Sequence, residues 1–222
     1  MRGSIWAAGV VVALMVGLPV AAEVQGPTPR PARVESLFDG RSLAGWEGDP
    51  KSWRVVDGAI TGGSLTVSTP ENVFLASTRE FSDFVLRLRV KLSGRDGFIN
   101  SGIQIRSQRV PGTTEMKGYQ CDLGDPDYWG ALYDESRRDR VLSRSQMRRL
   151  APVLRRQGWN DYVIRADGPR ITTWLNGVLA TDYHESDPAI PRSGRFGIQV
   201  HGGGTTLVQV RDVTIEPTSL YP

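Results

Sequence analysis

Two pairs of polar residues stand two apart in short apolar segments, Gln104 with Arg106 and Gln120 with Asp122. Side chains two apart on a β-strand project to the same face, so we predict that each pair shares a face and that all four groups converge. Asp122 would then act as a base or hold a metal, Arg106 would bind a carbonyl or enolate oxygen, and the glutamines would fix hydroxyl groups. The alternatives are a half-exposed polar face or a structural ion pair between Arg106 and Asp122.

The second candidate centre is His201, which three glycines follow at the end of an alternating segment. Glycines let the backbone approach a ligand closely, and an imidazole serves as acid or base near neutral pH. The alternative is a strand-end histidine bonded to backbone. His184, the other histidine, lies in a polar stretch and is predicted to be a solvated loop residue.

The single cysteine, Cys121, is predicted to be a buried small hydrophobic residue, because no histidine near it in sequence would activate a thiolate.

The elements that must position these groups are short β-strands. Residues 84–92 alternate apolar and polar side chains with period two, which predicts one face in a core and one in water. Asp57-Gly58 and Asn176-Gly177 each separate two such runs and predict two-residue hairpin turns. At least nine strands and no internal repeat predict a β-sandwich, with a strand-poor insertion over residues 122–157.

The N-terminal residues lack the alternating pattern of the strand segments. Arg2 precedes an apolar run from Ile5 to Val20 that ends in small residues, which predicts a signal peptide over residues 1–22 and export to the periplasm or the extracellular space. The alternative is an uncleaved anchor, but the run is short for a membrane span. Proline-rich residues 23–34 predict a linker, and residues 35–218 form the predicted domain.

The net charge of the chain is too small to indicate a nucleic-acid partner. The chain carries 27 Lys and Arg against 24 Asp and Glu, a formal net charge of +3. Eight arginines fall within residues 137–156, without the interleaved aromatic residues of single-strand binders, so we interpret them as a solvated face.

Several short motifs follow one another in an order that resembles a known family. They are Leu37-Phe38-Asp39-Gly40, Gly45-Trp46, Asp57-Gly58-Ala59-Ile60, Asn100-Ser101-Gly102-Ile103, Gly118-Tyr119-Gln120, Tyr128-Trp129-Gly130, Trp159-Asn160-Asp161-Tyr162, Asn176-Gly177 and Gly197-Ile198-Gln199 with His201-Gly202. Over residues 35–216 the chain resembles the 3-keto-disaccharide hydrolase domain family.

The resemblance implies an all-β fold, a two-sheet antiparallel jelly-roll sandwich of the concanavalin A-like lectin/glucanase type. It also implies a sugar partner, a 3-keto-disaccharide or 3-keto-glycoside, and a hydrolase. A 3-keto group acidifies the C2 hydrogen, so cleavage could proceed by elimination and hydration as a lyase and hydratase would perform it. The alternative is direct displacement by two carboxylates.

The resemblance directs attention to one block of the sequence as substrate-binding. Tyr128, Trp129 and Tyr133 could stack on a pyranose ring, with core packing as the alternative. Asp134 and Glu135 follow as further polar candidates. Asn160, within a shared motif, completes the predicted set, in which His201, Asp122 and Arg106 are catalytic and Gln104 and Gln120 bind substrate.

Two rival functions remain open from the sequence: a non-catalytic, lectin-like carbohydrate-binding module, and a structural domain of a cell-surface assembly. No cofactor is certain, and a divalent metal stays an open alternative because no contiguous acidic loop identifies one. No stable membrane span is expected after signal cleavage.

Overall fold

The computed structural model describes residues 33–218, which all belong to one compact unit. The predicted signal peptide and all but the last two residues of the predicted linker lie outside the described residues. The first strand begins at Glu35 and the last ends at Pro217. Across residues 33–218, no helix has the length and apolar character needed to span a bilayer.

Two antiparallel sheets make up the fold, which confirms the predicted all-β sandwich. The eight-stranded sheet runs in the order β13 (Val178–His184), β12 (Arg170–Leu175), β11 (Asn160–Asp167), β6 (Phe84–Gly97), β15 (Gly204–Pro217), β4 (Ala59–Gly63) and β3 (Trp53–Val56), with β1 (Glu35–Ser36) paired to β15. The seven-stranded sheet runs in the order β10 (Arg140–Ser143), β9 (Leu132–Glu135), β8 (Met116–Gly124), β7 (Asn100–Arg109), β14 (Gly194–Val200), β5 (Val73–Phe81) and β2 (Trp46–Glu47).

The core lies between the sheets and follows the period-two pattern of the strands. In β6, Phe84, Leu86 and Leu88 are buried while Arg87 is exposed, as the alternation predicts. From the other sheet, residues such as Ile103 belong to the same apolar cluster. Burial of this apolar surface is the main stabilising contribution to the sandwich.

Cys121 lies fully buried in that core on β8, as predicted, and burial raises the pKa of its thiol.

Both predicted hairpins are present. Asp57 and Gly58 join β3 to β4, and Asn176 and Gly177 join β12 to β13, with all four residues at positive φ. Asn, Asp and Gly tolerate this backbone conformation better than other residues, which explains why these dipeptides mark the turns.

The segment 122–157 contains more regular structure than the sequence indicated. It holds the end of β8, the whole of β9 and β10, and a four-residue helix, α1 (Met147–Leu150). Six of its arginines are exposed, in keeping with a solvated face: Arg140, Arg144, Arg148, Arg149, Arg155 and Arg156.

Candidate functional site

A cleft of about 190 Å³ opens on the face of the seven-stranded sheet that points away from the eight-stranded sheet. Its lining combines carboxyl, amide, imidazole and aromatic side chains. The lining residues are Phe98, Asn100, Gln120, Asp122, Tyr128, Tyr133, Glu135 and His201. This volume is below that of most drug-sized pockets and suits a ligand of about one sugar ring.

Adjacent strands bring these residues together from distant parts of the sequence. Asn100 starts β7, Gln120 and Asp122 lie on β8, and Glu135 ends β9, in three neighbouring strands of one sheet. His201 follows the last residue of β14, the strand on the other side of β7. Because the sheet is antiparallel, side chains far apart in sequence meet directly across it.

Asp122 is a buried carboxyl group at the floor of this cleft. The pKa of Asp122 is raised to about 8, chiefly by burial. The nearby charge of Glu135 also raises the pKa, whereas a hydrogen bond from Gln120 Nε2 to Asp122 Oδ1 (2.9 Å) acts to lower it. Near neutral pH the protonated form therefore predominates, and Asp122 can donate a proton.

Glu135 is the second carboxyl group of the cleft and is less buried. Burial first, and then the charge of Glu115, raise the pKa of Glu135 to about 7, against hydrogen bonds from Gln199 and Gln120 that lower it. Gln199 Nε2 lies 3.2 Å from Glu135 Oε2. The cleft thus holds two carboxyl groups that titrate close to neutral pH, and together they can supply one acid and one base.

His201 is oriented by its own backbone neighbourhood. Its Nδ1 lies 2.6 Å from the carbonyl oxygen of Gly202. A carbonyl can only accept a hydrogen bond, so Nδ1 carries the proton in the neutral ring and Nε2 is left as the acceptor. The ring packs edge-on against Phe98, with centroids 4.7 Å apart, and Phe98 packs in the same way against Tyr128.

Six of the sequence-predicted residues line the cleft: His201, Asp122, Gln120, Tyr128, Tyr133 and Glu135. Gln104 lies beneath them, fully buried, with its Nε2 2.9 Å from Gln120 Oε1. The predicted convergence of Gln104, Gln120 and Asp122 is therefore observed.

Arg106 is not among the residues at the cleft, and the prediction that it shares a face with Gln104 was wrong. The pairing of β7 shifts register between Ile105 and Gln108, and Arg106 adopts a φ of 47°. A bulge of this kind breaks the two-residue alternation and turns the side chain elsewhere. The guanidinium instead donates hydrogen bonds to the Ser82 carbonyl (2.8 Å) and to Asp83 (2.7 Å), as well as to the Gly168 carbonyl (2.7 Å).

Trp129 is also placed away from the cleft, in the apolar core, so its predicted stacking role gives way to the packing alternative. Asp134 was predicted as a substrate contact but is fully buried on the opposite face of β9, because it alternates with Glu135. There it forms ion pairs with Arg137 and Arg138.

Asn160 likewise serves structure rather than the cleft. Its side chain accepts a hydrogen bond from the Arg155 amide and donates to the Gly158 carbonyl, which holds the turn before β11. His184 is exposed at the end of β13, as expected of a solvated residue.

Two lining residues, Phe98 and Asn100, were not predicted. Asn100 stands in a motif that the resemblance used, and Phe98 is an apolar residue between two glycine-containing segments. Phe98 is 39% exposed, unusual for a large hydrophobic side chain, and only the folded chain reveals that exposure.

Between residues 33 and 218, no three His, Cys, Asp or Glu side chains lie in an arrangement that could hold a metal ion.

Several solved structures share the fold of this chain. A candidate glycosyl hydrolase from Parabacteroides distasonis ATCC 8503 is 20% identical, with a TM-score of 0.62 over 84% of this chain and 94% of that chain. The carbohydrate-binding module CBM66 from Bacillus subtilis is 18% identical, with a TM-score of 0.61 over 78% and 95%. A Bacillus licheniformis β-glucanase is 9% identical, with a TM-score of 0.52 over 86% and 100%. At these identities the likeness establishes the jelly-roll fold alone.

The comparison with curated proteins gave no match. A family model described as the 3-keto-alpha-glucoside-1,2-lyase-like domain matches residues 33–216, which is most of the chain and nearly the whole described structure. This match confirms the resemblance drawn from the motifs and indicates a carbohydrate-related function. The chain belongs to the 3-keto-alpha-glucoside-1,2-lyase-like domain family.

Proposed function

We propose that the chain is an exported enzyme that cleaves 3-keto-disaccharides or other 3-keto-glycosides at this cleft. One observation carries the proposal: two carboxyl groups in the same cleft, Asp122 and Glu135, have pKa values of about 8 and about 7. Groups that titrate near the working pH are the ones best suited to general acid and base catalysis. Membership of the 3-keto-alpha-glucoside-1,2-lyase-like family supports the choice of substrate class.

The chemistry needs one base and one acid. The ketone at C3 acidifies the hydrogen on C2, and a base that removes this proton generates an enolate. Collapse of the enolate breaks the bond between C1 and the glycosidic oxygen, which takes a proton from the acid and leaves as the alcohol. Water then adds its hydroxyl to C1 of the enone and a proton to C2, so that the sum is hydrolysis.

We assign the acid role to Asp122 and the base role to Glu135. Asp122 has the higher pKa and is the more buried, so it retains its proton when Glu135 has lost its own. The two groups also favour opposite charge states, because a second negative charge nearby raises the pKa of the remaining protonated group.

The remaining polar residues have roles that follow from their donor and acceptor atoms. His201 Nε2 can accept a hydrogen bond from a sugar hydroxyl, because Nδ1 is committed to the Gly202 carbonyl. The Asn100 amide and the Tyr133 hydroxyl can donate to the developing enolate oxygen. These two residues take the place that the sequence had suggested for Arg106.

The aromatic residues suit the apolar face of a pyranose. Phe98, Tyr128 and Tyr133 line the cleft together, and the axial hydrogens of a sugar ring pack well against aromatic rings.

The test is product analysis of the purified protein with 3-keto-disaccharides beside their unoxidised parents, with and without a chelator. We expect monosaccharide from the keto forms alone, and loss of turnover with chelator would add a metal requirement. Asp122→Asn and Glu135→Gln should each lose at least about a hundredfold in kcat, the usual contribution of a general acid or base. Asp127→Asn, an exposed neighbour of Tyr128, is the control that keeps full activity.

A lectin-like module is the second candidate, favoured by the aromatic lining of the cleft. Binding of a sugar without consumption of any keto form would establish it and refute the enzyme. Export is tested separately, by the N-terminal sequence of the protein recovered outside the cytoplasm, which should begin at Glu23.

A further inference from the structure

A chain of hydrogen bonds runs from the interior of the seven-stranded sheet to Asp122. Ser107 Oγ lies 2.5 Å from Gln104 Oε1, and Gln104 Nε2 lies 2.9 Å from Gln120 Oε1. Gln120 Nε2 in turn lies 2.9 Å from Asp122 Oδ1. Ser107 and Gln104 are fully buried and Gln120 nearly so, and neither Ser107 nor Gln104 lines the cleft.

The direction of this chain follows from its chemistry. The Ser107 hydroxyl has one proton and two acceptors within reach, the Gln104 oxygen at 2.5 Å and the Ile105 carbonyl oxygen at 2.9 Å. The shorter separation lies at the short end for O–H···O and below the range for N–H···O, so we assign the proton to the bond with the Gln104 oxygen. The Gln104 amide must then present its nitrogen to Gln120, which must accept through its own oxygen. Only the nitrogen of Gln120 remains to face Asp122.

Two glycines leave the room that this chain occupies. A Cβ added at Gly102 would collide with the side chain of Gln120, and one added at Gly118 would collide with Ser107 Oγ. Gly118 also has a φ of +146°, where side chains other than glycine are rarely found. The backbone on both sides of the chain is therefore shaped around it.

We propose that Ser107 and Gln104 are positioning residues that hold the Gln120 amide with its N–H groups, and not its oxygen, toward Asp122. This inference rests on the proposed function for its catalytic meaning. An amide nitrogen can only donate, so it stabilises the ionised carboxylate that remains after proton donation. A reversed amide would present its oxygen, accept a hydrogen bond from the protonated carboxyl group and resist that step.

Other titratable groups lie around Asp122, in the cleft and in the core. From the cleft side they are Glu135, Tyr133 and His201, and from the core side they are Cys121 and Tyr162. Of these groups, Glu135 also accepts a hydrogen bond from Gln120, so the titration of Glu135 is followed together with that of Asp122 in each variant.

The experiment is a carboxyl-carbon NMR titration of Asp122 in the full chain, without substrate. Gln104→Met keeps the length of the side chain but removes the amide, and Ser107→Ala removes only the first donor. We expect the titration midpoint of Asp122 to rise by about one pH unit in Gln104→Met, as for loss of an oriented hydrogen bond to a charged group, and less in Ser107→Ala. Ser77→Ala, a buried serine of β5 outside the chain, is the control and should leave the midpoint unchanged.

Thermal unfolding of each variant separates misfolding from repositioning, and Ser107→Ala serves if Gln104→Met fails to fold. A midpoint that stays unchanged or falls in the folded variants would overturn the inference. If the midpoint rises but the wild-type protein consumes no keto-sugar, the positioning role stands and the proposed enzyme fails. If both hold, the pH profile of kcat should move upward by the same amount as the midpoint.

Discussion

Replacing Asp122 with Asn should make the protein more stable at alkaline pH while it removes turnover. Folding raises the pKa of the Asp122 carboxyl group, so protonation of this group favours the folded state. The effect is complete only below the ordinary pKa of 3.8, where the group is protonated in both the folded and the unfolded state. That contribution is lost progressively as the pH rises through about 8, because the folded protein must then bury a negative charge. Asn has almost the same shape and never acquires the charge.

The magnitude follows from the interval between the two pKa values. Each pH unit between the ordinary and folded-state pKa corresponds to about 1.4 kcal/mol. Between about pH 5 and pH 8.5 the wild-type protein should therefore lose roughly 4 kcal/mol of unfolding free energy relative to Asp122→Asn. For a domain of this size that is a difference on the order of 10 °C in Tm.

The assay is denaturant unfolding of both proteins at about pH 5 and pH 8.5. Asp134→Asn is the matched control, because Asp134 is also fully buried but forms ion pairs with Arg137 and Arg138. Loss of its charge leaves Arg137 without this partner and Arg138 with Glu185 alone, and should destabilise the fold at both pH values. The reasoning is refuted if Asp122→Asn shows the same stability difference from wild type at both pH values.

Three further predictions concern residues in and around the sheet. Arg106→Met should lower the unfolding free energy by roughly 1–3 kcal/mol, since the buried guanidinium loses its hydrogen bonds to Ser82, Asp83 and Gly168, yet leave KM unchanged. A changed KM in the folded variant would contradict the placement of Arg106 away from the cleft. Burial acts to raise the pKa of Glu185, but hydrogen bonds from Arg138 and Tyr119 outweigh it and hold the value at about 2. The ionised Glu185 carboxylate stabilises the fold fully above its ordinary pKa of 4.5, and this stabilisation is lost as the pH falls through about 2. In urea unfolding, Glu185→Gln should therefore be less stable than wild type by roughly 3 kcal/mol at pH 7 and by little near pH 2. Tyr128→Ala should raise KM for the keto-sugar about three- to tenfold, the loss expected for one aromatic contact, with Tm little changed because the side chain is half-buried; an unaltered KM would argue against stacking.

Gly102 lies against the Gln120 side chain, so a substitution at Gly102 would affect the cleft although Gly102 does not line it. Gly102 is followed two residues later by Gln104, on the same face of β7. In the sequence, Gly102 is one more glycine in a chain that contains 25. Its importance comes from the side chain of Gln120, which lies across it from the neighbouring strand.

Local sequence determined much of the fold. The alternation of residues 84–92 sets the buried face of β6, and the two Asp-Gly and Asn-Gly turns fix hairpins, because both depend on neighbours within a few residues. The same alternation correctly paired Gln120 with Asp122. These features follow from chain geometry that any strand shares.

Tertiary structure decided which of the polar residues meet. The bulge in β7 is a shift in its register against both neighbouring strands, β8 and β14, and it removed Arg106 from the face that alternation gave it. Asp134 and Glu135 are adjacent in sequence, but the position of β9 in the sheet sends one to an ion-paired core position and the other to the cleft. The raised pKa values of Asp122 and Glu135 depend on burial and on charges from other strands, and these arise only when the chain has folded.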